Sequence, residues 1–232
     1  MSKISFLRSC FYMMVNSASL GLVLEEAKES DAQRIADLHM SAFGTNYMLL
    51  AQFPTTAARD GLRNCLAGKI REEIRDPRWA VLVVRHGQGR PISFAKWRRP
   101  IYISEKCEEH PWQWPEGTNL GILGEWGARV DDMNRKIIGD SPCYRLSFIA
   151  TDREYERQGA ASLLVKWGLE HCNKEQVSAA LESTMDAVLF YKKLGFVDEG
   201  KISMKLNGVG TKGESVLYEE SLFVFRPSPA AN

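Results

Sequence analysis

Cysteine is scarce in this 232-residue chain, and the placing of its five cysteines excludes two classes of site. The cysteines are odd in number and widely spaced, and no Cys-x-x-Cys pair occurs. The four histidines do not stand at metal-ligand spacings from them. A disulfide framework and a zinc site are therefore not expected, and we predict reduced thiols, an intracellular protein and no bound metal.

An excess of charge and a long apolar run are also missing. Lys and Arg total 30 against 29 Asp and Glu, so no global basic field attracts nucleic acid or an anionic membrane. No apolar run approaches the roughly 18 residues that a membrane span needs. We therefore expect neither nucleic acid nor membrane as a partner, a cytoplasmic location, and a monomer or homodimer.

Acidic residues are absent from the first 20 positions, MSKISFLRSCFYMMVNSASL, where Lys3 and Arg8 stand among apolar residues. This composition leaves a mitochondrial transit peptide open, and a terminal element packed on the domain is the alternative. The boundaries that we predict are an N-terminal extension at 1–20, one domain at 21–226 and a C-terminal tail at 227–232.

Strand and helix patterns alternate through the domain. Strands are predicted at 21–26, in a hairpin at 79–97, and at 144–150, 178–184, 201–206 and 216–225. Helices are predicted at 30–43, 57–74, 131–140, 160–171 and 186–196. The first helix has Ser30 and Gln33 at capping-box spacing, and His39 on its apolar face is predicted to be a packed residue. Residues 98–127 read as irregular, with three prolines, so the fold class is mixed α/β.

A predicted helix follows the strand YRLSFIA, and it begins with small side chains. The stretch that contains it reads TDREYERQGAASLLVKWGLEH. Gly159, Ala160 and Ala161 are all small. The first N–H groups of a helix lack intrahelical partners and, with the helix dipole, form an anion site that small residues leave accessible. Close packing of the helix on the sheet explains the same residues equally well.

These residues resemble motif A of the GCN5-related N-acetyltransferase (GNAT) superfamily, Arg/Gln-x-x-Gly-x-Gly/Ala at a strand-to-helix turn. Gly159 and Ala161 match the pattern, whereas Glu156 departs from it and places a carboxylate near a pyrophosphate site. Downstream, ALESTMDAVLFYKKLGF resembles motif B, with Asp186 predicted to cap its helix and Gly195 to take the left-handed position at its end. With RKIIGDSPCYRLSFIATD, the two motifs are similar to fungal members in particular, and the resemblance covers about residues 22–226.

The resemblance implies a single α/β (α+β) domain with a mixed, mostly antiparallel central sheet, flanked by helices and splayed at the motif A strand. It also implies acetyl-CoA as cosubstrate, no metal, and direct acetyl transfer to the amine of a small molecule. The pantetheine arm would lie along Phe148, Ile149 and Ala150. The pyrophosphate would lie at the turn and helix start formed by Glu156, Arg157, Gln158, Gly159, Ala160, Ala161 and Ser162.

Two proton transfers remain for side chains in such a reaction. Tyr191, where the family often has a tyrosine near the coenzyme sulfur, is predicted to be the acid for the departing thiolate, and a core aromatic residue is the alternative. Glu182 is our first choice of base for the ammonium. Asp152, Glu125 and a chain of water molecules remain open as well.

Aromatic residues are concentrated in the irregular segment. Trp112, Trp114 and Trp126, with the carboxylate of Glu125, are predicted to bind an apolar or aromatic amine, although these rings could equally only fix a long loop. Two other functions stay open: a catalytically silent acyl-CoA-binding or interaction module, and the same scaffold recruited to another biosynthetic reaction. GVGTKG at 208–213 matches a dinucleotide motif, but a β-rich run follows it, so a hairpin loop is predicted.

Overall fold

A computed structural model of the chain describes residues 21–101, 111–210 and 213–228. The predicted N-terminal extension and the last part of the C-terminal tail lie outside these residues. Within them, no helix is long and apolar enough to cross a membrane.

The described residues form seven strands and six α-helices. The strands are β1 Leu22–Glu26, β2 Trp79–His86, β3 Pro91–Arg98, β4 Cys143–Thr151, β5 Ser178–Thr184, β6 Val197–Leu206 and β7 Val216–Phe225. The helices are α1 Ala32–Phe43, α2 Tyr47–Gln52, α3 Thr56–Arg75, α4 Leu120–Ile137, α5 Ala160–Glu175 and α6 Val188–Lys193.

All seven strands form one sheet in the order β1-β2-β3-β4-β5-β7-β6. Neighbouring strands are antiparallel except β4 and β5, which are parallel. The predicted mixed, mostly antiparallel sheet is confirmed. The single parallel pair follows from the β4–α5–β5 crossover, since parallel neighbours need a long connection.

The sheet splays at the parallel pair. β4 and β5 are paired only from Cys143 to Arg145, opposite Ser178 to Ala180. Beyond Arg145 the ladder of described residues does not continue, although β4 runs on to Thr151 and β5 to Thr184. A wedge therefore opens between the carboxyl ends of two neighbouring strands, at the strand where the resemblance to the GNAT superfamily implied it.

Helices cover both faces of the sheet. α5 packs on one face, where Ala160, Leu164 and Trp97 share a buried cluster. A Cβ atom at Gly168 would lie 2.4 Å from the Trp97 ring, so this glycine sets the close approach of α5 to β3. On the opposite face α1 and α3 pack against β2 and β3, with Ile35 and Phe94 in that cluster.

Four local predictions were wrong. α4 begins at Leu120, capped by Asn119, and not near residue 131; the glycines at 121, 124 and 127 conceal it because glycine is a poor helix former. α2 was missed altogether, although Asn46 caps it by accepting from Met48 and Leu49.

The other two errors concern helix caps. The predicted capping box of Ser30 and Gln33 does not form. Instead, the Asp31 carboxylate accepts a hydrogen bond from the backbone N–H of Lys28. Asp186 lies inside a 3-10 turn, Met185–Ala187, and makes no capping hydrogen bond. By contrast, Gly195 has φ +91° at the end of α6 and His39 is buried, as predicted. The loop containing GVGTKG joins antiparallel β6 and β7, which confirms the hairpin.

Candidate active site

The unpaired part of β4 forms one wall of the wedge. On its other side Phe148, Ile149 and Ala150 lie opposite Lys96, Ala95 and Phe94 of β3. Asp152 donates its N–H to the Ile92 carbonyl of β3, and backbone groups alternate between the two edges of a strand. Ile149 therefore presents its N–H and C=O to the open edge, whereas Phe148 and Ala150 pair theirs with β3. Of these three predicted residues, one offers free backbone groups.

The turn before α5 has two residues in the left-handed region, Arg157 with φ 62° and Gly159 with φ 95°. Gly159 is the N-cap of α5 and supplies no side chain to satisfy the first N–H groups. A Cβ atom at Gly159 would meet nothing within 4 Å among the described residues, so packing does not explain this glycine. Its conformation and the open space beside it leave the start of the helix accessible to an anion.

Ala160, in contrast, is 1% exposed and belongs to the core, so packing does explain that residue. Ala161 and Ser162 are half-buried at the first turn of α5, and Glu156 and Arg157 are exposed beside each other. Gln158 donates its side-chain amide to the Glu154 carbonyl and thus closes the turn. Close packing therefore explains Ala160, whereas access for an anion explains Gly159.

A cleft of about 490 Å³ adjoins the splayed strands. It is lined mainly by apolar and aromatic side chains, and the lining residues come from helices α1, α2, α3, α4 and α6, from strands β4, β5 and β7, and from the segment before α4. Trp112 and Trp114 are stacked at a 4.6 Å ring separation, and Trp126 meets Tyr218 edge to face at 5.2 Å. The three predicted tryptophans all line this cleft.

Glu125 does not line the cleft. It lies on the exposed side of α4, where its carboxylate binds Arg129 at 2.6 Å. The irregular segment predicted here is helical, so Glu125 and Trp126 point in different directions around the helix axis. From this position Glu125 does not reach the cleft, so its predicted role in substrate binding and its alternative role as a base are not supported.

Tyr191 of α6 lines the cleft and is 5% exposed. Its ring packs against Phe190, Phe196 and Phe223. Burial raises the pKa of Tyr191 above its ordinary value, so its hydroxyl is protonated at neutral pH. The hydroxyl finds no hydrogen-bond partner among the described residues, which leaves it available to a group in the cleft. Both predicted roles, core aromatic and proton donor, are compatible with this position.

Glu182 of β5 also lines the cleft, but its carboxylate is already engaged. Its Oε1 accepts from Arg145 at 2.6 Å and from Asn134 at 2.7 Å. Asp152, an alternative base, binds Arg34 and caps the turn after β4 through the Glu154 N–H. It does not line the cleft.

A further carboxylate of the cleft, Glu220 of β7, was missed from the sequence. Its Oε1 accepts from the Tyr218 hydroxyl at 2.5 Å, and that hydroxyl accepts from the Asn46 amide at 3.1 Å. Burial raises the pKa of Glu220 to about 7; the Tyr218 hydrogen bond lowers it and the charge of Glu182 raises it. The available signal was a glutamate on the same strand face as Tyr218 and Leu222, within VLYEESLFVF.

His39 of α1 completes the cleft wall between Phe43 and Phe148. Burial, helped by the charge of Lys96, lowers the pKa of His39 to about 3, so the imidazole is neutral at neutral pH. No cluster of side chains able to hold a metal ion occurs among residues 21–101, 111–210 and 213–228.

A sequence model of the acetyltransferase (GNAT) family matches residues 71–196, just over half of the chain. The chain belongs to the GNAT family. It shares the fold of solved acetyltransferases, and the match confirms the predicted superfamily, which implies an acyltransferase activity. The narrower likeness to fungal members stays a prediction.

Two solved GNAT proteins illustrate the similarity of fold. One is histone acetyltransferase HPA2 and related acetyltransferase from Corynebacterium glutamicum, with a TM-score of 0.59, 20% identity, and 91% of this chain and 99% of that chain covered. The other is the ribosomal-protein-S18-alanine N-acetyltransferase from Escherichia coli, with a TM-score of 0.52, 14% identity, and 91% and 97% covered. A search of curated protein sequences returned no significant match.

Proposed function

We propose that this GNAT-family protein transfers the acetyl group of acetyl-CoA directly to the amine of a small, cationic molecule with an apolar or aromatic body. One observation carries the proposal: the open edge of β4 and the uncapped start of α5 adjoin a cleft with aromatic walls and carboxylates. The coenzyme and the acceptor can thus approach the same point from two sides.

The coenzyme half of the proposal rests on the wedge. Ile149 offers backbone groups with which an amide-containing arm can pair as an added strand does. The first N–H groups of α5, beside the open space at Gly159, suit a pyrophosphate. The exposed carboxylate of Glu156 opposes this attraction, and the adjacent Arg157 guanidinium offsets it.

The acceptor half rests on the charge of the cleft. Its described lining contains the carboxylates of Glu182, Glu220 and Asp131, and no Lys or Arg. Arg145, outside the lining, balances the charge of Glu182, so Glu220 and Asp131 supply the negative charge of the cleft. His39 adds no positive charge, because it is neutral. Stacked tryptophan rings favour an apolar body and attract a cation through their faces. Such a site favours an alkylammonium and disfavours a molecule that also carries a carboxylate.

Thiol release from acetyl-CoA in the presence of an amine panel, with mass spectrometry of the product, tests the proposal. The panel contains matched pairs such as phenethylamine and phenylalanine, which differ by one carboxylate. We expect acetylation of the amine without the carboxylate to have at least a tenfold higher kcat/KM. Saturable CoA binding with no turnover on any amine would indicate a silent binding module, and turnover of a metabolite without CoA would indicate a recruited scaffold.

A further inference from the structure

Glu220 lies where β5, β6 and β7 run side by side beneath the cleft. It stands opposite Thr184 of β5 and Ile202 of β6. One carboxylate oxygen, Oε1, accepts from Tyr218, and no described residue donates to the other oxygen. Because Glu220 also lines the cleft, this second oxygen can bind a group that enters there.

Glu182, the neighbouring carboxylate, differs in its partners. The guanidinium of Arg145 neutralises Glu182, and Asn134 holds the same oxygen. Glu220 has no salt bridge to a described Lys, Arg or His; its partner is a neutral phenol that Asn46 holds in turn. A carboxylate with a neutral partner in a partly buried position can exchange a proton near neutral pH, and its raised pKa agrees with that.

We propose that Glu220 is the general base, the group that accepts the proton which the substrate ammonium loses before it attacks the thioester. The inference rests on the proposed function and deepens it. Tyr218, held by Asn46, is a positioning residue that fixes the carboxylate. Glu182, paired with Arg145, remains a charged wall of the cleft.

The proton balance is simple. Glu220 takes one proton from the ammonium, and the neutral nitrogen forms a C–N bond with the acetyl carbonyl carbon as the C–S bond breaks. The sulfur leaves with the bonding electron pair and receives a proton from the Tyr191 hydroxyl. After the C–N bond has formed, the nitrogen loses a second proton, and this proton restores the Tyr191 hydroxyl. The proton on Glu220 returns to solvent, so one proton is released for each ammonium acetylated.

Several ionisable groups share the cleft with Glu220 or pair with a residue that does. They are Tyr218 on the same strand, Glu182 with Arg145 across β5, Asp131 of α4, Tyr191 of α6 and His39 of α1. Of these, the Glu182 charge raises the pKa of Glu220 and the Tyr218 hydrogen bond lowers it. Removal of the Tyr218 hydroxyl should therefore move the titration of Glu220 to higher pH.

The first test is the pH profile of kcat/KM for the wild type, Glu220→Gln, Glu182→Gln and Tyr218→Phe, with the best amine of the panel. We expect the wild-type value to rise through pH 7. Glu220→Gln should lower kcat about 10²- to 10⁴-fold and replace the titration near pH 7 by one near the pKa of the free amine, about 10, while Glu182→Gln keeps the titration near pH 7. Tyr218→Phe should keep the rise at a higher pH. An unchanged profile in Glu220→Gln, or loss of the rise in Glu182→Gln alone, would overturn the inference.

A second test uses an acceptor that needs no base. A β-difluorinated analogue of the same amine is largely neutral at the assay pH, so the ratio of wild-type to Glu220→Gln turnover should collapse to within about tenfold. An equal loss with both acceptors would contradict the inference. Wild type that acetylates no amine refutes the proposed function as well, so the two failures are distinguishable.

The folded state gives a readout that is independent of turnover. Because burial raises the pKa of Glu220 from its ordinary value of 4.5 to about 7, the folded state binds more protons than the unfolded state between these pH values. Its contribution to stability is present below pH 4.5 and is lost as the pH rises through 7. The melting temperature of Glu220→Gln minus that of the wild type should therefore be larger at pH 8 than at pH 5. An equal difference at the two pH values would place Glu220 in solvent and overturn the inference.

Discussion

Tyr191 combines two roles that substitutions can separate. Its ring is buried against three phenylalanines, the residue lines the cleft, and its hydroxyl has no partner among the described residues. Removing the hydroxyl alone changes the chemistry, whereas removing the ring changes the core. The two substitutions therefore report on different properties of one residue.

We predict that Tyr191→Phe lowers kcat about 10²- to 10⁴-fold with little change in the KM for acetyl-CoA, because it removes only the proton donor. Its unfolding free energy should change by about 1 kcal/mol or less. Tyr191→Ala, as the control, should cost about 3–5 kcal/mol in denaturant unfolding because it leaves a cavity. Wild-type kcat in Tyr191→Phe, where chemistry is rate-limiting, would remove the hydroxyl from the mechanism.

Single residues also show how far the sequence could predict the site. Gly159 and Tyr191 stand in local motifs whose spacing is visible along the chain, so their positions were predictable. Glu220 is 38 residues from Glu182, and the two share a cleft only because β5 pairs with β7. Such an approach depends on strand order, which no local pattern of residues specifies.

At the scale of elements, a buried ion pair joins α3 to β3. Lys96 Nζ lies 2.6 Å from the Glu73 carboxylate, and both side chains are 3% exposed. The ammonium also lies over the rings of Trp79, Trp112 and Phe148, at 5.3 to 6.0 Å from their centroids. This pair therefore holds the helix layer next to the tryptophans of the cleft.

We predict that Lys96→Met costs about 3–5 kcal/mol in denaturant unfolding, because it leaves the buried Glu73 carboxylate uncompensated. The double variant Lys96→Met/Glu73→Leu should recover most of this loss, since replacing both charges by apolar groups removes the penalty. Lys136→Met, which breaks an exposed pair with Asp132, is the matched control and should leave stability nearly unchanged. Equal stability of Lys96→Met and wild type would contradict the account.

Elements differed in how well the sequence predicted them. β4 and α5 follow clear periods of two and 3.6, and their boundaries were close. The first half of α4 was assigned to an irregular segment because its three glycines lower the local helix propensity, while its burial against β6 and β7 is a tertiary effect. That one error placed Glu125 and Trp126 together, although the helix separates them.

At the scale of the whole molecule, the single parallel strand pair organises the site. One sheet runs through the domain, and the wedge between β4 and β5 opens beside the start of α5 and above the aromatic cleft. The fold class was predictable because motif order along the chain reflects strand order near the middle of the sheet. The acidic character of the cleft was not predictable from the sequence, because its carboxylates come from two strands and a helix that are far apart along the chain.

The central claim, that the wedge at β4 and α5 binds CoA, is tested most directly by calorimetric titration of CoA into four proteins. They are wild type, Gly159→Gln, Gly159→Glu and Gly208→Glu. The two Gly159 variants share the backbone strain of φ +95° and nearly the same bulk, so their difference isolates a negative charge beside the pyrophosphate. Gly208, with φ +74° and open space around it among the described residues, is a control for strain and charge placed in the β6–β7 loop instead of at the start of α5.

We predict saturable binding by wild type and by Gly208→Glu, with Gly159→Glu at least about tenfold weaker than Gly159→Gln, or about 1.4 kcal/mol. No saturable binding by wild type at millimolar CoA, or equal affinities of Gly159→Gln and Gly159→Glu, would contradict the claim.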